Sequence, residues 1–189
     1  MQICVTYPRS QGQRLVLRTA TDWERDLAPR EVTATQAWFD VDVTAHTLEL
    51  KPCLVEGSTT RWARGPNYVL TAYEKNRGLW PYFFTEERGK VSDVLRVDFE
   101  GQTRAVRIYH PPGYDENTLH RFPVLYMQDG QNLFFPEEAF RGNEWHVDET
   151  MDRLDQMNAL RKAIVVGVSP ADRMRDYTKP GYGAYGRFL

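Results

Sequence analysis

The sequence predicts a two-part chain: an antiparallel β-sandwich followed by the opening of an open α/β sheet. Three observations predict it. The first half is a series of short, β-branched and aromatic runs separated by turn signals. Residues 85–93, TEERGKVSD, then form a polar, glycine-containing stretch of the kind that joins domains. Beyond it the order is hairpin, apolar strand, amphipathic helix, apolar strand.

The first-half strands are ICVTY, QRLVLRT, AWFDVDV, TLELK and NYVLTAY. In AWFDVDV, Phe39, Val41 and Val43 alternate with Trp38, Asp40 and Asp42, the period-2 pattern of a half-buried strand. Turn signals at 10–12, 28–30, 56–58 and 64–67 separate the runs. In the second half, VLRVDFE and TRAVRIYHPPGY alternate around Glu100-Gly101-Gln102. PVLYM and KAIVVGV are continuous apolar runs, as in strands covered on both faces. Between them, NEWHVDETMDRLDQMNAL is predicted to be a helix, with Val147, Met151 and Leu154 on one face and the acids Asp148, Glu149, Asp152 and Asp155 forming a solvated face. These patterns place the units at residues 1–88 and 92–189.

Bulk properties narrow the function classes. The net charge of −2 over 189 residues gives no electrostatic reason to expect nucleic acid or an anionic membrane surface as partner. No apolar run approaches the ~20 residues that span a bilayer. The first residues lack a basic segment followed by an apolar one, so a cytoplasmic location is expected. Cys4 and Cys53 sit in strand-like stretches and are expected to be reduced thiols. His46, His110, His120 and His146 make no helical pair, so no metal is expected, and no cofactor either.

The stretches RAVRIYHPPGYDE, FPVLYMQDGQNLF, EWHVDETMDRL, AIVVGVSPADRMRDY and YGRFL resemble the putative esterase family of α/β-hydrolases, which includes enterochelin-esterase-like and feruloyl-esterase-like enzymes. The resemblance covers about residues 92–189. The first half more weakly resembles the Ig-like or starch-binding-like domain that precedes such catalytic domains. The resemblance implies a serine carboxylic-ester hydrolase acting on a small-molecule ester. It also implies that one oxyanion-hole N–H comes from the loop after the VLYM strand, which makes the backbone N–H groups of Gly130 and Gln131 candidates. Asp129, Trp145, Arg173 and Tyr177 become candidate substrate contacts, with pairing of Arg173 to Asp176 as an alternative. Core packing is the alternative for Trp145.

The rest of the triad is not legible. The serines are Ser10, Ser58, Ser92 and Ser169. Ser169, in GVSPA, follows an apolar strand, but the next residue is Pro170, which has no N–H to give to an oxyanion. No histidine follows it, although the triad order requires one. The chain therefore reads as the N-terminal part of an esterase, inactive alone, its AYGRFL ending opening an amphipathic pattern at Tyr185, Phe188 and Leu189. The resemblance also places the VLYM strand between the AIVVG strand and an absent nucleophile strand. One strand edge is then open, and self-association through residues 123–134, or cover by further polypeptide, is expected. A different reading is a carbohydrate- or partner-binding module, in which Trp23, Trp38, Trp62 and Trp80, with Tyr68 and Tyr82, stack on sugar rings rather than fill a core.

Overall fold

The computed structural model describes residues 1–178 and 182–188. The chain is rich in β-structure and divides into two compact units. The first comprises Met1–Glu87, Gly113–Arg121 and Gln156–Asn158, and the second Arg88–Pro112, Phe122–Asp155 and Ala159–Leu189. Residues 113–121, which sequence patterning alone leaves with the second half, thus belong to the first.

The first unit holds nine strands: β1 (Gln2–Thr6), β2 (Gln13–Thr19), β3 (Asp22–Leu27), β4 (Glu31–Val32), β5 (Gln36–Asp40), β6 (Thr47–Glu56), β7 (Thr59–Trp62), β8 (Tyr68–Thr71) and β9 (Asn76–Leu79). One sheet runs β4-β5-β1-β9. The other runs β3-β2-β6-β7, with β8 also on β6. Alternation decides which residues face inward. Ile3 and Val5 of β1, Leu15 and Leu17 of β2, Phe39 of β5, and Leu50 and Leu54 of β6 converge with Leu70, Leu79 and Phe83 in one core. On the opposite face of β2 and β6, Val16, Cys53 and Val55 form a small second cluster. Trp23 and Trp62 lie near it, 6.0 Å apart and tilted, with the Arg18 guanidinium over Trp62. Both cysteines are free, and burial pushes the Cys53 thiol up to about 11.

The segment 113–121 is fastened to this unit by two side chains. The Glu116 carboxylate accepts from the N–H groups of Phe83, Phe84 and Thr85 at 2.6–2.8 Å and from the Tyr7 hydroxyl at 2.9 Å. Buried Asn117 donates to the carbonyls of Thr6 and Pro81. Gly113 sits at φ +83°, and a Cβ there would meet the Tyr82 ring at 2.7 Å. Residues 79–84, LWPYFF, thus begin at the last residue of β9 and continue as a carboxylate-capped loop.

The second unit is built on one mixed sheet. Its strands are β10 (Lys90–Val91), β11 (Leu95–Phe99), β12 (Gln102–His110), β13 (Val124–Gln128) and β14 (Ile164–Val168), in the order β10-β12-β14-β13, with β11 also on β12. β13 and β14 are parallel and in register from Val124↔Ile164 to Gln128↔Val168. The connection between them carries α1 (Val147–Gln156), as a parallel pair requires. Val147 and Met151 of α1 pack with Met127 on Tyr109, Leu133, Phe134 and Val165.

The helix is shorter than the periodicity suggested. His146 and Asn158 take left-handed conformations, φ +52° and +53°, and bracket it at the two ends. Its acids are also not one solvated face. Asp152 accepts from the Gly89 N–H at 2.8 Å and the Tyr109 hydroxyl at 2.7 Å, while buried Asp155 pairs with Lys162 at 3.3 Å. A helix face that meets a chain reversal rather than water uses its carboxylates as acceptors.

On the other face of the sheet, Tyr185 and Phe188 of α3 (Tyr182–Phe188) cover Val106, Ile108, Val166 and Val168. The expected pattern at the chain end thus includes two packing residues, while Leu189 lies outside the described residues. Among the described residues no helix is long and apolar enough to cross a membrane.

Candidate functional site

β13 ends on Gln128, and Asp129 then takes a left-handed conformation, φ 54° and ψ 43°. Aspartate tolerates this region better than a branched residue would. The reversal starts the 3-10 turn Gly130–Asn132, held by the Asn132 N–H donating to the Asp129 carbonyl at 2.8 Å.

Gly130 is buried against the end of β14. A Cβ at that position would lie 2.5 Å from the Gly167 carbonyl carbon and 2.6 Å from the Val168 nitrogen. The glycine is therefore required by approach to the neighbouring strand. Its N–H and that of Gln131 have no hydrogen-bond acceptor among the described residues. A buried N–H without an acceptor is uncommon and marks a place where a ligand oxygen or water can bind.

Asn132 locks the far side of the turn. Its side-chain oxygen accepts from the Phe140 N–H at 2.9 Å, and its carbonyl accepts from the Trp145 N–H at 2.7 Å. Trp145 itself is half exposed, at 51%, so it neither packs in the core nor lines the cavity described next.

Arg173 and Tyr177 reach this turn from α2 (Arg173–Tyr177), which follows β14. Asp172 caps the helix by accepting from the Arg175 N–H at 3.1 Å. The Tyr177 hydroxyl donates to the Asp129 carboxylate at 3.2 Å, the Arg173 guanidinium lies 3.6 Å from the same carboxylate, and the Gln131 amide donates to it at 3.4 Å. Burial raises the Tyr177 pKa. A hydrogen bond with Tyr185 opposes the rise, and the Asp129 charge adds to it, so the hydroxyl remains a donor. Gln128, Asp129, Arg173, Met174, Tyr177 and Thr178 line a cavity of about 340 Å³ at the C-terminal ends of the parallel strands, where open α/β sheets place ligands.

The supports behind α2 escape a sequence reading. Asp176 pairs with Arg104 of β12 and not with Arg173, at 2.6 and 2.9 Å, both side chains 2% exposed. Asp176 also accepts from the Ala171 N–H at 2.9 Å, and Arg104 lies under the Tyr185 and Phe188 rings. The Arg104 hydrogen bonds hold the Asp176 carboxyl below its usual range. No spacing rule links positions 104 and 176, because the sheet alone brings them together.

A second polar group lies at the start of α1. Glu144 and Glu149 carboxylate oxygens sit 3.3 and 3.7 Å from His146 Nδ1, and their ligand-type atoms fall within 4.8 Å of one another. Burial first, and then the adjacent Glu149, push the Asp148 carboxyl up to about 6. Histidine spacing alone could not find this group, because two of its members are glutamates.

The second unit is thus a β-rich α/β assembly whose parallel strands end in an acid–arginine–tyrosine cluster, beside a largely buried turn with two N–H groups that have no acceptor among the described residues. Residues 99–188 match the model of the family described as putative esterase. A solved structure of a ferulic acid esterase is 30% identical over 43% of this chain, with a TM-score of 0.34. The match covers 30% of that structure's own length. No curated protein matches the chain.

Proposed function

We propose that the second unit is the N-terminal part of an α/β-hydrolase domain, that the first is an Ig-like sandwich, and that the chain serves in hydrolysis of carboxylic esters. In this reading the Gly130 and Gln131 N–H groups stabilise the oxyanion of the tetrahedral intermediate. Arg173, Tyr177 and Asp129 form the substrate rim. The observation that carries the reading is the pair of N–H groups, at buried Gly130 and half-buried Gln131, that have no acceptor among the described residues, inside the segment that matches the esterase family.

The attacking serine is assigned to polypeptide other than these 189 residues. Ser169 terminates β14, donating its N–H to the Ala105 carbonyl at 2.9 Å, and Pro170 follows it. Ser10, Ser58 and Ser92 lie outside any strand–turn–helix elbow. The chain is therefore a binding and oxyanion-stabilising part without its own nucleophile.

Titration of the 15N-labelled chain with p-nitrophenyl butyrate tests this. Saturable amide shifts are expected at Gly130, Gln131 and residues 173–177. Shifts confined to the first unit, or none at Gly130 and Gln131, overturn the assignment of the turn.

A further inference from the structure

Two arginines of the second unit spend their guanidinium groups on the fold. Arg104 forks onto Asp176, and Arg107 donates to Glu138 and to the Ser92 carbonyl. Arg173 does neither. Among the described residues its guanidinium makes no hydrogen bond, and its contact with Asp129 Oδ2 is a long one, 3.6 Å. The side chain is 62% exposed, lines the cavity, and lies 5.9 Å from the centre of the Tyr177 ring. Asp129 does not depend on it. Oδ1 of that carboxylate accepts from the Tyr177 hydroxyl and the Gln131 amide, so the acid stays anchored when the guanidinium turns to a ligand. Arg173 therefore brings an uncommitted donor set to the cavity wall.

The geometry points to Arg173 as a specificity-determining residue, one that selects esters carrying a free carboxylate over neutral esters of the same shape. The inference rests on the ester reading of the turn and names a substrate class for it. A guanidinium offers five N–H donors in a planar fork that matches the two oxygens of a carboxylate. The turn and Arg173 meet at one side chain, since the Gln131 amide and the guanidinium both lie against Asp129. A carboxylate on a ligand whose ester carbonyl sits at the turn thus comes within reach of Arg173. The Asp129 charge opposes an incoming anion, so the expected preference is about tenfold, the low end for a hydrogen bond to a charged group.

Amide-shift titrations of the 15N-labelled chain test this with two matched pairs of esters. 4-Butyryloxybenzoate against p-nitrophenyl butyrate places the charge on the alcohol side, with a carboxylate in place of a nitro group. Monomethyl glutarate against methyl pentanoate places it on the acyl side. In at least one pair the anionic ester is expected to bind about tenfold more tightly. Arg173→Gln should bring that ratio close to one, and Arg173→Lys, which keeps the charge without the fork, should restore part of it. If Arg173→Gln does not fold, the wild-type ratio decides: it should shrink between about 20 mM and about 500 mM NaCl. Amide shifts at Gly130 and Gln131 without a preference in either pair overturn the inference and leave the ester reading in place. A preference that survives Arg173→Gln, or a ratio indifferent to salt, overturns the assignment to Arg173. Absence of shifts at Gly130 and Gln131 with all four esters overturns the ester reading and this inference with it.

Discussion

Asp176→Ala is expected to cost about 3–5 kcal/mol of folding stability, the range for removing one partner of a buried ion pair. Both side chains are almost fully buried, so the Arg104 guanidinium would be left in the interior without a counter-charge, its remaining side-chain acceptor being the neutral Gln102 amide oxygen. The Ala171 N–H would lose its acceptor as well. The effect should reach the candidate site, because Asp176 anchors the helix that carries Arg173 and Tyr177. The double variant Arg104→Met/Asp176→Leu should recover most of the loss, since well-packed apolar replacements of a buried pair are often close to neutral. Urea unfolding of the wild type and the two variants checks this. A single variant within 1 kcal/mol of wild type would mean that the pair does not anchor α2.

Glu116→Ala is expected to cost about 3 kcal/mol, because three backbone N–H groups and the hydroxyls of Tyr7 and Thr85 lose one shared acceptor. Partial access of water to the segment keeps the figure below the sum of five fully buried groups. The carboxylate also predicts a pH dependence. Burial alone would raise the Glu116 pKa, but the Thr85, Phe84 and Phe83 N–H groups, with the Tyr7 hydroxyl, outweigh it and hold it below 4.5. A carboxyl depressed in the folded state contributes stability that is present above its unfolded value. That contribution is lost as pH falls through the folded value. The stability gap between wild type and Glu116→Gln should therefore be widest near neutrality and close below about pH 4. A gap that does not change with pH would show that the carboxylate charge has no part in the clasp.

Elements that bury a simple face were legible in the sequence. Phe39 and Val41 alternate as expected, and Val147 and Met151 point together into the core. The continuous apolar runs at 124–127 and 164–168 are strands of one parallel pair, but only the second is covered as expected: Val124, Leu125 and Tyr126 are about half exposed. What the sequence hid depends on distant chain meeting at short range. Asp152 and Asp155 look like a solvated helix face until Gly89, Tyr109 and Lys162 arrive from elsewhere. Glu116 looks like a loop acid until the Phe83–Thr85 backbone turns its N–H groups toward it.

The candidate site was partly legible for the same reason. The acid, arginine and tyrosine at 129, 173 and 177 follow the ends of two strands that pair in parallel, so the sheet brings them together. Trp145 has no such constraint, and it faces outward. Gly130 is a position of close approach, which its candidacy as an N–H donor did not require, and its neighbour is the β14 backbone. Asn132 carries no local pattern at all, since both of its partners lie in the irregular segment beyond it.

We propose that the Gly130–Asn132 turn stabilises an oxyanion beside a substrate rim, in a chain whose own serines include no competent nucleophile. Hydrolysis of p-nitrophenyl acetate by the purified 189-residue chain tests it most directly, against an equal mass of a protein without esterase activity. The expected result is no release of p-nitrophenol above that control, and the same for Ser169→Ala. Turnover by the wild-type chain that Ser169→Ala abolishes would contradict the account, because it would make the serine before Pro170 a working nucleophile.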